Sequence, residues 1–140
     1  MKGTFVIILG VIGSFIAKFF GGWDAAMTTL VIFMGIDYLM GLIVAGVFKR
    51  SGKSENGALD SRAGFKGLCK KSVVLLIVLI AYRLDLVLGS TFIKDAVIIG
   101  YIANETISII ENAGLMGIPI PEVIKKAIDI LKKKSEGDEK

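Results

Sequence analysis

Asp37 is the one charge in the apolar run 25–48, and its place near the middle of that run decides what it can do. An ionised carboxylate at the centre of a bilayer costs about 2.5–3.5 kcal/mol on insertion scales, so it must face protein or water. Gly41 and Ala45 follow at four and eight residues on the same helical face. That small-xxx-small stripe lets a second helix come close while the carboxylate meets a partner. Two roles stay open for Asp37: a hydrogen bond within one protomer, and an intersubunit or pore-facing contact. A second polar set, Tyr101, Asn104, Glu105, Ser108, Glu111 and Asn112, recurs at spacings of three and four on one side of an isoleucine-rich helix. Such a stripe suits the lining of an aqueous path through a membrane, and it equally suits an interfacial helix whose polar side faces water.

Several chemistries are absent from the outset. There is no histidine and only one cysteine, Cys69. Cys/His zinc sites, Ser/His or Cys/His catalytic pairs and an intramolecular disulfide are therefore excluded. Carboxylates and lysines are present, but in no catalytic constellation, so the chain reads as a non-enzyme with no metal and no cofactor.

The elements that must position these groups are membrane helices. Of the 140 residues, 54% are hydrophobic, and mean hydropathy is +0.71. That excess over a soluble domain is gathered into long runs. A helical crossing needs about 20 apolar residues, so four crossings use most of the chain. The expected fold is all-α and multi-pass, with a transmembrane domain over 1–118 whose segments lie at about 4–20, 25–48, 72–89 and 92–110. A basic amphipathic helix is expected over 119–134, with a disordered tail at 135–140. The first segment is too long for the apolar core of a removable signal peptide, and is expected to stay. Its small face, Gly10, Ser14, Ala17 and Gly21, is read as packing against the second segment. Arg83 and Asp85, two residues apart, sit on different helix faces and do not suit a direct pair; Arg83 is expected to snorkel to headgroups.

Residues 49–71 form the expected loop between segments two and three. Seven basic residues there (Lys49, Arg50, Lys53, Arg62, Lys66, Lys70 and Lys71) face only Glu55 and Asp60. Retention of Lys and Arg on the cytoplasmic side places this loop inside, and four crossings then put both termini inside as well. Lys49, Arg50, Lys66, Lys70, Lys71, Lys125 and Lys126 are read as basic groups at the membrane surface. In the C-terminal helix, Ile124, Ala127, Ile128 and Leu131 recur opposite lysines, as in a helix lying on an anionic leaflet. The basic loop lacks interleaved aromatics apart from Phe65, so nucleic acid is not an expected partner.

Three motifs in order carry a resemblance: Asp37-Tyr38-Leu39-Met40-Gly41 before the basic loop; Gly64-Phe65-Lys66-Gly67 with Lys70-Lys71 before an apolar helix; and Tyr101-Ile102-Ala103-Asn104-Glu105. The third leads through Ile109-Ile110-Glu111-Asn112-Ala113-Gly114 to Ile118-Pro119-Ile120-Pro121 and a lysine-rich helix. Over roughly residues 30–134 the chain resembles the phage holins of the toxin-secretion and phage-lysis class; the first segment is the least family-like part. The resemblance implies a small protein, made late in phage growth, that accumulates in the host bacterial cytoplasmic membrane and oligomerises into lesions. Through these a cell-wall hydrolase reaches its substrate, or in some relatives a large toxin leaves the cell. The implied partners are further copies of the chain, the lipid bilayer, and an endolysin released without direct contact. Two other readings compete: a small-solute or ion channel or transporter component using Asp37 and Glu105, and a membrane scaffold that recruits a soluble partner through its basic parts.

Overall fold

A computed structural model describes residues 1–137. Five α-helices follow one another: α1 (Lys2–Phe19), α2 (Ala25–Ile43), α3 (Ser61–Leu88), α4 (Ile93–Leu115) and α5 (Glu122–Ser135), and no strand occurs among the described residues. A single wide π-turn, Val44–Phe48, carries α2 on to the end of its apolar run. The chain is thus all-helical. Among the described residues, two helices, Lys2–Phe19 and Ala25–Phe48, are long and apolar enough to cross a membrane, where the sequence led us to expect four. The other two long helices are interrupted by charged and polar side chains. Helix α3 starts with Arg62, Lys66, Lys70 and Lys71 and ends with Arg83 and Asp85, and α4 holds Lys94, Asp95, Glu105 and Glu111.

Local chemistry sets the boundaries. Asp24 caps α2 by accepting from the Met27 amide at 2.9 Å. Asp60 caps α3 through the Arg62 amide at 2.9 Å, and this moves the helix start well before the expected residue 72. The expected loop 49–71 is therefore half helix, and only 49–60 remains irregular. There Ser51 N–H donates to Gly57 C=O at 2.9 Å and closes the loop on itself. Helix α4 continues to Leu115, past the expected end at 110. Ser135 belongs to α5 and not to a tail, while residues 138–140 of the expected tail lie outside the described residues.

Helices α2, α3 and α4 pack together, with α4 in contact with both of the others and with α5. Their shared core is Met27, Leu30, Met34, Val78, Ile98 and Ile102. Its members lie three to four residues apart along α2 and α4, the spacing of one helical face. Helix α5 turns back along α4 and places Ser135 beside Gly100, while Ile128 is buried and Leu131 meets the core. The expected packing of the first segment on the second does not occur. No residue of α1 is buried, and a Cβ built at Gly10 meets nothing within 4 Å. The chain turns from α1 to α2 at Gly21 and Gly22, both at positive φ (78° and 100°), and that turn is gripped by α3 and α4 instead.

Gly21 shows how tight the grip is. A Cβ there would overlap the Tyr82 ring, besides placing an L-residue in the left-handed region. Gly21→Ala is expected to lower the unfolding temperature in detergent micelles, followed by circular dichroism. Adding Tyr82→Ala should recover the overlap but not the conformational cost, which is about 1–2 kcal/mol.

Candidate functional site

Three helices bring one charged side chain each to a single point. Lys71 Nζ, from α3, donates to Asp37 Oδ2 of α2 at 2.9 Å and to Glu105 Oε2 of α4 at 2.8 Å. Asn112, two turns further along α4, donates through Nδ2 to Asp37 Oδ1 at 2.9 Å and to the Asp37 carbonyl oxygen at 3.4 Å. The side chains of Asp37, Glu105 and Lys71 are 5%, 7% and 17% exposed. Every charge is thus paired where a lone one would carry a heavy desolvation cost. Asp37 and Glu105 each lie 12 residues into their helices. At 1.5 Å per residue that is about 18 Å from the helix starts, which for α2, a helix long and apolar enough to cross a membrane, is near the middle of its apolar run.

Sequence and geometry agree on why α3 passes here. The Tyr38 hydroxyl, one residue beyond Asp37, reaches the Gly64 carbonyl at 3.3 Å, and the Tyr38 ring lies 3.5 Å from where a Gly67 Cβ would be. The two glycines admit the aromatic ring, and one turn later Lys71 meets the carboxylate. A cavity of about 60 Å³ adjoins the cluster, lined by Asp37, Lys71 and Tyr38 and by Ser51 and Ser54 of the loop. That is room for a few water molecules. This cavity lies on the loop-bearing side of the cluster. Gly41 and Ala45 line the same cavity, so the small face of α2 borders the loop and α3.

The polar stripe of α4 divides. Glu105 and Asn112 point inward, Tyr101 and Ser108 are half-buried, and Asn104 and Glu111 are exposed. Asp37 finds its partners within one chain. Lys71, grouped from sequence with the surface cations, is the exception among them, because it sits inside the bundle. Lys49, Arg50, Lys66, Lys70, Lys125 and Lys126 are exposed. Gly10 and Ser14 stand on the unpacked α1. Among the described residues no group of three or more metal-ligating side chains forms. The ammonium of Lys71 itself occupies the point between the two carboxylates. The arrangement is suited to holding the three helices in register.

A second buried polar knot, not singled out from the sequence, closes the opposite end. Asp85 Oδ1 accepts from Ser90 Oγ at 2.6 Å and from Ile93 N–H at 3.0 Å, and Oδ2 accepts from Lys94 N–H at 2.9 Å. A side chain of α3 thereby satisfies amides at the start of α4. Lys94 Nζ donates to the carbonyls of Phe20 and Gly22, with the Tyr82 ring 5.4 Å away. A cation at those carbonyls also suits the negative end of the α1 dipole. From sequence Asp85 was considered only as a partner for Arg83, and a carboxylate shortly before a helix start was the one available hint.

The model of a family described as the bacteriophage holin family matches residues 14–133. An uncharacterized protein of Listeria monocytogenes is 43% identical over 133 residues, covering 94% of this chain and 89% of its own length. One from Clostridium perfringens is 36% identical over 140 residues, covering 96% and 98%. A Bacillus phage phi105 protein named as a probable holin is 32% identical over 106 residues, covering 75% and 71%. No solved structure matches the chain.

The cluster makes a definite energetic prediction. Lys71→Met leaves two buried carboxylates facing each other and is expected to cost about 3–5 kcal/mol, as when one partner of a buried pair is removed. The triple variant Asp37→Asn, Lys71→Met, Glu105→Gln should recover most of that loss. Reversible unfolding in mixed micelles, followed by Trp23 fluorescence, measures both.

Proposed function

The chain belongs to the bacteriophage holin family, and on that premise we propose that it self-associates in the cytoplasmic membrane of a bacterial host and opens it to a cell-wall hydrolase at lysis. The observation that carries this reading is the family match over residues 14–133, most of the chain. The phage relative named as a probable holin supports it. The physical character of the chain is consistent with the role. It is a small membrane protein with little soluble body, an apolar α1 free of intramolecular packing and an ion cluster between helices.

In this reading the protein performs no catalysis, and the hydrolase passes without a docking surface. Helices α3 and α4 complete two further crossings, shielding their charges against each other and α2. The loop at 49–60 and both termini then lie on the cytoplasmic side, in keeping with their lysines and arginines. The inner-facing cavity beside Asp37 gives some support to a second reading, a cation-conducting channel that uses Asp37 and Glu105.

Controlled expression in a bacterial host separates the two. A holin is expected to collapse the membrane potential and then pass periplasmic and cytoplasmic proteins of unrelated sizes, with a co-expressed hydrolase clearing the culture. A channel would collapse the potential while retaining proteins, and Asp37→Asn would alter its ion preference. Growth with an intact potential at high membrane levels of the protein contradicts both.

A further inference from the structure

Helix α5 presents an apolar stripe to α4 that is wider than α4 can cover. Ile128 is buried in the contact and Leu131 is partly covered, yet Ile124 on the same stripe is 42% exposed, and Val123 and Ile130, further round the helix, are 77% and 60% exposed. The opposite side is basic. Lys125, Lys126, Lys132, Lys133 and Lys134 outnumber Glu122 and Asp129, and the only ion pair among them, Lys125 with Glu122 at 3.5 Å, is solvent-exposed. A helix with an uncovered apolar flank and a cationic face has the makings of an interfacial helix.

Its docked position conflicts with a membrane-crossing α4. Helix α5 runs antiparallel to α4 and brings Ser135 to Gly100, which lies only seven residues from the start of α4. At 1.5 Å per residue that is about 10 Å from the end remote from the α4–α5 turn, so Lys132, Lys133 and Lys134 are carried far along the span. Ammonium groups at that depth would face hydrocarbon. The surface of α4 that α5 occupies includes Gly100, where a Cβ would sit 3.4 Å from the Ser135 Cβ. That small surface is open to close packing once α5 leaves.

We propose that α5 is an exchangeable helix with two binding surfaces, the flank of α4 around Gly100 and an anionic lipid surface, and that α4 becomes free to cross the bilayer only when α5 has moved to the lipid. The charge asymmetry of α5 selects the second surface: five lysines favour a layer of phosphate headgroups, whereas α4 exposes two carboxylates, Asp95 and Glu111, and neither pairs with a lysine of α5. This inference rests on the membrane-permeabilising reading above and adds to it the element that gates insertion.

The geometry supplies its own probe. In the full chain, Gly100→Cys and Ser135→Cys, with Cys69→Ser removing the native thiol, place two β-carbons within disulfide reach. The reduced protein is added to vesicles of phosphatidylcholine alone or of phosphatidylcholine with phosphatidylglycerol, oxidised, and the intramolecular disulfide is quantified. The expected result is efficient closure with neutral vesicles and at least a fivefold lower yield with anionic ones, restored by high salt, which screens the attraction. Equal yields on both lipids overturn the exchange, and absence of the disulfide on neutral vesicles overturns the docked position. Dye release from the anionic vesicles is a separate readout. Release by the reduced protein tests permeabilisation itself, and pre-oxidised protein should release at least tenfold more slowly. If the reduced protein released no dye while the yields still differed, permeabilisation would fail and the exchange would stand; equal release by both forms would contradict the gating.

Discussion

The ammonium of Lys71, held between the carboxylates of Asp37 and Glu105, is the constraint from which the rest of the bundle follows. Each of these groups lies too deep to be hydrated freely, and each comes from a different helix. In an apolar surrounding a charge is tolerable only when paired and hydrogen-bonded. Only one relative placement of α2, α3 and α4 pairs all three. Asn112 removes the remaining slack by occupying the other oxygen of Asp37. A buried pair of this kind adds little net stability over apolar packing, because desolvation offsets the Coulomb gain. Its effect is on register. Sliding any helix by one turn, about 5.4 Å, leaves a charge unpaired.

The opposite end repeats the logic with backbone groups. Asp85 satisfies the first amides of α4, and Lys94 satisfies the carbonyls that end α1. Between these two polar knots lies an ordinary apolar core. The outcome is a three-helix unit fixed at both ends, to which α1 is attached by a single gripped turn and α5 by one amphipathic face. Such a division suits the function proposed above, in which the protein rearranges within the bilayer. The fixed unit keeps its charges internal while the attached helices stay available.

Much of this architecture was legible from local pattern. The run 25–48 ends where the π-turn ends, since one apolar stretch without breakers has few alternatives. The need of Asp37 for a partner followed from its depth alone, and the helical spacing of Ile124, Ile128 and Leu131 announced α5. The partner itself was not legible. Lys71 belongs to a run of basic residues, and nothing in its neighbours distinguishes it from Lys70, which faces solvent one residue away. Only the helical phase from Gly64 and Gly67 turns it inward, and that phase was hidden while 61–71 was read as loop on account of those glycines. In the structure they admit the Tyr38 ring. Likewise the small face of α1 suggested a partner, but spacing cannot say whether that partner lies in the same chain. The division of the α4 stripe was hidden for a similar reason. Asn104 and Glu105 adjoin in sequence, but 100° of helical rotation sends one outward and the other into the cluster.

The most direct measurement of the central claim is the distance from Lys71 Nζ to the carboxyl carbons of Asp37 and Glu105 in the protein reconstituted into lipid bilayers. Solid-state NMR nitrogen–carbon dipolar recoupling provides it, with a Lys71→Arg sample identifying the lysine signal. Hydrogen bonds of 2.9 and 2.8 Å require both separations to be under about 4 Å. Strong coupling of one ammonium to one Asp and one Glu carboxyl is the predicted result. Absence of coupling to either carboxyl in a folded, membrane-inserted sample would contradict the account.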